Sequence, residues 1–175
     1  MSYISQVEYE GSSQEVKAQF DNQINRNGKI TNMKKTLLHS MPAFKALMEW
    51  YELRDAVEPF IGARGVNFYC YAISTENDCL ICSTFFARIL DDLNIDINNF
   101  SFTEKENLIV TFGRALVHNP HDISEEIYTN LKKHFNEEQI VALTAFGSIM
   151  IATNLINTAL KIDLDDELVP YSKGR

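Results

Sequence analysis

Val16, Phe20 and Ile24 recur every fourth residue, the spacing of one helix face, and Gly28 follows where a left-handed stop would end it. Ser40 then offers a capping hydroxyl, Pro42 falls in a first turn, and Phe44, Leu47, Met48 and Tyr51 mark the buried stripe of a second helix, which Pro59 and Gly62 close. A third helix is predicted from about Arg64 to Ile73, short enough to depend on packing. Ser74 to Asp78 reads as a polar turn. From there Cys79, Cys82, Phe86, Ile89, Leu90 and Leu93 repeat at helical spacing, which places both thiols in the first turn of a helix and on its inward side.

Further on, Ser101-Phe102-Thr103-Glu104 has the form of a capping box, and Pro120 limits the helix it opens. Asp122 or Ser124 can cap the next helix, with Ile127, Leu131 and Phe135 on one face. Asn136 to Gln139 gives another capping signal before a long apolar stretch to Leu160, the expected central core helix. Little of the chain alternates with the period of a strand, and no repeat or low-complexity linker interrupts it. The pattern predicts an all-α, single-domain protein.

Composition agrees with a folded core: 175 residues, 45% hydrophobic and 23% charged. The net charge of -8, from 24 acidic against 16 basic residues, argues against nucleic acid as a partner, because such binding relies on a clustered basic surface. The opening residues, Met1-Ser2-Tyr3-Ile4-Ser5-Gln6, lack the basic flank and apolar run of a secretory signal, so a cytoplasmic location is expected. No membrane span is expected either. The greasiest stretch, Ile140 to Leu160, is broken by Thr144, Ser148, Thr153, Asn154, Asn157 and Thr158. That helix is nonetheless apolar around much of its circumference, which predicts a homo-oligomer. The acidic run Asp163 to Glu167 reads as a solvated end.

Chemistry concentrates at the C-x-x-C. A cysteine reacts as its thiolate, and the free amides of a helix N-terminus stabilise negative charge there. Cys79 occupies that position, and Cys82 lies one turn on along the same face, within reach of a disulfide. One thiol can attack and the other resolve. The same spacing is half of a zinc site, but no second C-x-x-C or H-x-x-x-H completes it, and His118 and His121 read as loop residues. As packing, the two cysteines would be small buried hydrophobes; Cys70, inside an apolar helical run, reads that way.

The segment Tyr71-Ala-Ile-Ser-Thr-Glu-Asn-Asp-Cys-Leu-Ile-Cys-Ser-Thr-Phe-Phe86, with the later Leu143-Thr-Ala-Phe-Gly-Ser-Ile-Met-Ile-Ala-Thr-Asn-Leu-Ile-Asn157, resembles the carboxymuconolactone decarboxylase and alkyl hydroperoxidase D-like superfamily. The likeness covers residues 37–160, leaving 1–36 as a helical N-terminal extension and 161–175 as an acidic tail. It implies an alkyl hydroperoxidase D-like helical bundle that assembles as a trimer, hexamer or similar homo-oligomer. In the peroxidase branch the second cysteine attacks a peroxide, the first resolves the sulfenic acid, and glutamate and histidines relay protons. By that resemblance Cys82 attacks and Cys79 resolves, with no metal or other cofactor and with a partner thiol as reductant.

The relay itself is missing. Asn67 stands at the glutamate position, Ile81 at the inner histidine and Phe86 at the outer one. Positioned acid-base groups contribute about 10²–10⁴-fold, so another group must substitute if the chemistry survives. Glu76 and Asp78 are the nearest proton-transfer candidates, and each also suits a turn or cap. The decarboxylase branch generally does not rest on a dithiol, and no cationic pocket for a carboxylated substrate is evident, Arg64 and Arg114 reading as surface ion pairs. The sequence therefore leaves two readings, a thiol-disulfide redox protein reducing a peroxide or other small electrophile, and a non-catalytic helical scaffold of the same fold.

Overall fold

In the computed structural model, which describes residues 2–96 and 99–172, helices follow one another with no strand among the described residues. They are α1 (Gln14–Asn27), α2 (Asn32–Leu37), α3 (Met41–Met48), α4 (Trp50–Glu76), α5 (Leu80–Asp92), α6 (Glu104–His118), α7 (Glu125–His134) and α8 (Glu137–Ala159), then a 3₁₀ turn, Asp166–Ser172. The architecture is all-helical and single-domain.

Local chemistry explains most of the boundaries. Ser13, Ser40 and Ser124 each accept a backbone N–H at their helix starts. Gly28 takes a left-handed φ of 74° to stop α1. Asn136 and Gln139 form the expected reciprocal capping box of α8, with bonds of 2.8 and 3.0 Å. At α6 the box lies two residues later than the sequence suggests. Thr103 and Glu106 form it, and Glu106 also receives the Arg64 guanidinium at 3.0 Å.

Other boundaries differ more. The stripe from Phe44 to Tyr51 is divided at Glu49 between α3 and α4. Pro59 lies inside α4, but Gly62 is non-helical (φ 75°, ψ 160°) and breaks the run where the sequence places a stop; the segment after it continues to Glu76, so Ser74 to Glu76 is helical rather than turn. α2, opened by Thr31, carries no apolar stripe that periodicity could detect.

The C-terminal half of α4 is the hub, packed by α5, α6 and α8. Tyr69 is fully buried there and donates to the Leu143 carbonyl at 2.9 Å. Gly113 of α6 and Gly147 of α8 make room for its ring: a Cβ on Gly113 would lie 2.8 Å from Tyr69 Cε2, and one on Gly147 would collide with Tyr69 Oη. Around them Ile73, Ile109, Phe112, Leu131, Leu143 and Phe146 close the main core. α1 to α3 gather Phe20, Leu37, Leu38 and Phe44 into a second cluster that reaches α8 at Ile156.

α8 has the length and apolar character of a membrane-crossing helix by composition alone. Here it packs in the bundle, and its polar Thr153, Asn154 and Asn157 are buried rather than interrupting an apolar face. The acidic tail is not simply a solvated end. Asp165 accepts the Asn32 amide at 2.9 Å, Leu168 is 1% exposed, and Tyr171 donates to Asp91 at 3.0 Å, so the segment docks on α2 and α5. Residues 173–175 of that tail lie outside the described residues.

Candidate functional site

The dithiol is delivered by the way α4 stops. The Asp78 amide bonds the Thr75 carbonyl at 3.2 Å and the Cys79 amide bonds the Ser74 carbonyl at 2.9 Å, the two bonds of a Schellman stop. Asp78 provides the left-handed residue it needs, with φ 52°. The next residue, Cys79, is extended and serves as N-cap of α5, and Cys82 follows on the inward face of the first turn. Their residues are 1% and 5% exposed, and both cysteines are free.

α8 meets the sulfurs with polar groups. Asn157 Nδ2 donates to Cys82 Sγ at 3.1 Å. One turn earlier Asn154 Oδ1 accepts the Ser74 hydroxyl at 3.3 Å. Asn157 Oδ1 and Asn154 Nδ2 are buried with no hydrogen-bond partner among the described residues. The pair is electrostatically asymmetric. The Cys82 thiol donating to Cys79 is the main influence that lowers the Cys79 thiol to about 7 against the opposing effect of burial, with help from the Cys82 and Ile81 amides and the Thr158 hydroxyl. Cys82 is pushed well above the ordinary thiol range, first by that same bond and then by burial. The first negative charge of the pair therefore rests on Cys79, and Cys82 holds the shared proton.

Cys82 also opens onto a cavity of about 260 Å³ between α2, α3, the start of α4, α5 and α8. Ile81, Phe85, Phe86, Trp50 and Met150 supply its apolar wall. Two of the relay positions, Ile81 and Phe86, are thus cavity lining. The third, Asn67, donates to the Ala63 carbonyl at 2.9 Å within its own helix. Glu76 lies on the outer turn, 3.9 Å from His118 Nδ1, and Asp78 is exposed; neither is among the cavity-lining residues. Cys70 is wholly buried, and burial raises its thiol. His118 and His121 are exposed, and no group of three or more His, Cys, Asp or Glu residues is arranged to hold a metal among the described residues.

The cavity corrects one expectation from the sequence. Arg64 and Arg114 are surface residues, but Lys29, Lys34 and Arg88 converge on the cavity wall, with Asp165 the one carboxylate there among the described residues. Neither this cationic wall nor Asn157 follows from periodicity. The available signal was two asparagines three residues apart in an otherwise apolar core helix; for Lys34, in a short polar helix, there was none.

No protein-family model matches the chain, and no curated protein matches it significantly in sequence. Its fold does have similar solved structures. An uncharacterized peroxidase-related protein from Silicibacter sp. TM1040 superposes with a TM-score of 0.75 at 13% identity, covering 95% of this chain and 93% of that one. A second such protein, described as an alkylhydroperoxidase AhpD core, from Ralstonia eutropha JMP134, gives 0.73 at 17% identity over 98% and 96%. A debrominase without ligand gives 0.77 at 16% identity over 97% and 95%. A cysteine-to-alanine variant of that debrominase, in complex with 2,3,4-tribromopyrrole, gives 0.75 at 15% identity over 98% and 96%. At these identities the likeness defines the fold, which is that of the AhpD-like peroxidase-related proteins.

Proposed function

We propose that the chain is a dithiol reductant of a small electrophile, such as a hydroperoxide, held in the cavity against Cys82. The observation that carries this reading is a pair of free cysteines in the first turn of one helix, Cys82 lining a cavity and accepting a hydrogen bond from Asn157 at 3.1 Å. Cys79 then serves as the base that the missing glutamate and histidines would have supplied. Cys82 sulfur attacks the peroxide oxygen and its proton passes to Cys79. The O–O bond breaks, and the alkoxide takes a solvent proton to leave as alcohol. Cys82 is now a sulfenic acid. Cys79 sulfur attacks it, the S–O bond breaks, and the hydroxide leaves with the Cys79 proton as water. Two electrons have moved from the pair to the peroxide, and a partner thiol returns them by exchange with the Cys79–Cys82 disulfide.

Counting free thiols after peroxide treatment tests this, with and without a reductant and in Cys79→Ser and Cys82→Ser variants. Two thiols that vanish together, return on reduction and require both cysteines support the proposal; thiols that stay reduced overturn it. A brominated pyrrole belongs in the same assay, since a debrominase shares the fold. The near-complete burial of both sulfurs favours a second reading, a non-catalytic scaffold, and that assay separates the two. We further propose self-association through the exposed face of α8, where Val141 and Leu155 are 68% and 64% exposed. Light scattering at micromolar concentration should give a multiple of the chain mass, and a monomer would refute it.

A further inference from the structure

The overall charge is -8, yet among the described residues the charged ones on the wall of the Cys82 cavity are three cations and one carboxylate. Among the described residues, two of these cations have no carboxylate within ion-pair distance. Lys34 is 6% exposed, and its ammonium donates at 2.6 Å to Gln23 Oε1 and at 2.6 Å to Tyr51 Oη, both neutral acceptors. No carboxylate within ion-pair distance of it is found among the described residues. Arg88 has a buried Nε with no hydrogen-bond partner among the described residues, and its guanidinium carbon sits 5.6 Å from the Phe85 ring centroid. Lys29 differs, being paired with Glu167.

Taking a cation out of water is costly unless an anion and hydrogen bonds replace the solvent. A guanidinium with a free N–H and a lysine ammonium lining one small cavity match a planar carboxylate, which can accept from both. The rest of the wall asks for something different. Trp50, Phe85, Phe86 and Met150 present ring and thioether surface, and about 260 Å³ is just under the usual range for small-molecule sites, which restricts the ligand to a small organic acid.

We propose that this cavity binds a small aromatic carboxylate, its acid group on Lys34 and Arg88 and its ring between Trp50, Phe85 and Phe86, with Cys82 on the same wall. The inference deepens the redox reading, on which it rests only for what happens at Cys82; the binding itself involves no electron transfer.

Benzoate is the probe and benzamide its uncharged counterpart. Trp50, the single tryptophan, lines the site and reports occupancy by its fluorescence, with calorimetry as the check. Benzoate should saturate the signal and bind at least tenfold more tightly than benzamide, and raised salt should narrow the gap. Lys34→Met and Arg88→Met should each reduce that preference. The comparison of the two probes on the unmodified protein stands even if a variant fails to fold. Absence of benzoate binding at millimolar concentration, equal affinity for the two probes, or a preference unchanged in folded Lys34→Met protein would overturn the proposal. Repeating the titration on Cys82→Ser protein separates the two readings. Retained benzoate preference with no peroxide-driven thiol loss in the unmodified protein would sink the redox reading alone, whereas thiol loss without that preference would sink this one.

Discussion

Replacing Cys82 by alanine removes the hydrogen bond with the largest lowering effect on Cys79 and leaves only the weaker help of the backbone amides and the Thr158 hydroxyl. A hydrogen bond to a charged group contributes about 1.5–3 kcal/mol, and one pKa unit corresponds to about 1.4 kcal/mol, so the Cys79 thiol should rise by roughly 1–2 units from about 7. At pH 7 the thiolate would fall from about half of the molecules to between roughly a tenth and a hundredth. Cys82→Ser is the matched control, because its hydroxyl can still donate. Cys70 is to be changed to alanine in every sample so that only the pair contributes. Thiolate absorbance in the ultraviolet, followed against pH, gives each midpoint. The reasoning fails if Cys82→Ala titrates with the serine variant, or if Cys79 in the intact pair ionises in the ordinary thiol range.

Three other outcomes are expected. Asn157→Leu removes the 3.1 Å donor to Cys82 Sγ, and should slow peroxide-driven disulfide formation several-fold, measured by stopped-flow thiol loss, without abolishing it. Gly147→Ala forces a methyl against Tyr69 Oη and Leu116, and should lower unfolding free energy by about 1–3 kcal/mol in urea titration, a loss that Tyr69→Phe should partly relieve. Stability should also depend on pH with a definite sign. Cys79 has a lowered folded-state pKa, so its contribution is absent below pH 7, grows up to the unfolded value near 9 and is complete above it. Cys70, Cys82 and Tyr69 are raised, so their contribution is intact below their unfolded values and is lost as pH rises through the folded ones. Denaturation midpoints measured from pH 6 to 11 should therefore climb modestly and then fall; a monotonic rise would contradict the burial of those three groups.

The sequence by itself determined the helical class, several helix starts and the placing of the dithiol at a helix N-terminus, because caps and apolar periodicity are local. Ser40, Ser124 and the Asn136–Gln139 box act on amides three residues away and need no tertiary partner. The single-residue stop at Asp78 was legible only as a turn; that it is left-handed and hands Cys79 directly to α5 depends on how α4 ends against the bundle. The capping box of α6 uses Thr103 and Glu106, and the same Glu106 carboxylate pairs with Arg64, 42 residues earlier in the chain. Likewise, Glu76 and Asp78 were proposed from proximity in sequence, but the groups next to the sulfurs are Asn157 and Thr158, from a helix nearly eighty residues away. Cavities have the same origin. Lys34 of α2 shares a cavity with Cys82 and Arg88 of α5 only through the tertiary arrangement, and no local pattern encodes which residues from separate helices will face the same empty space.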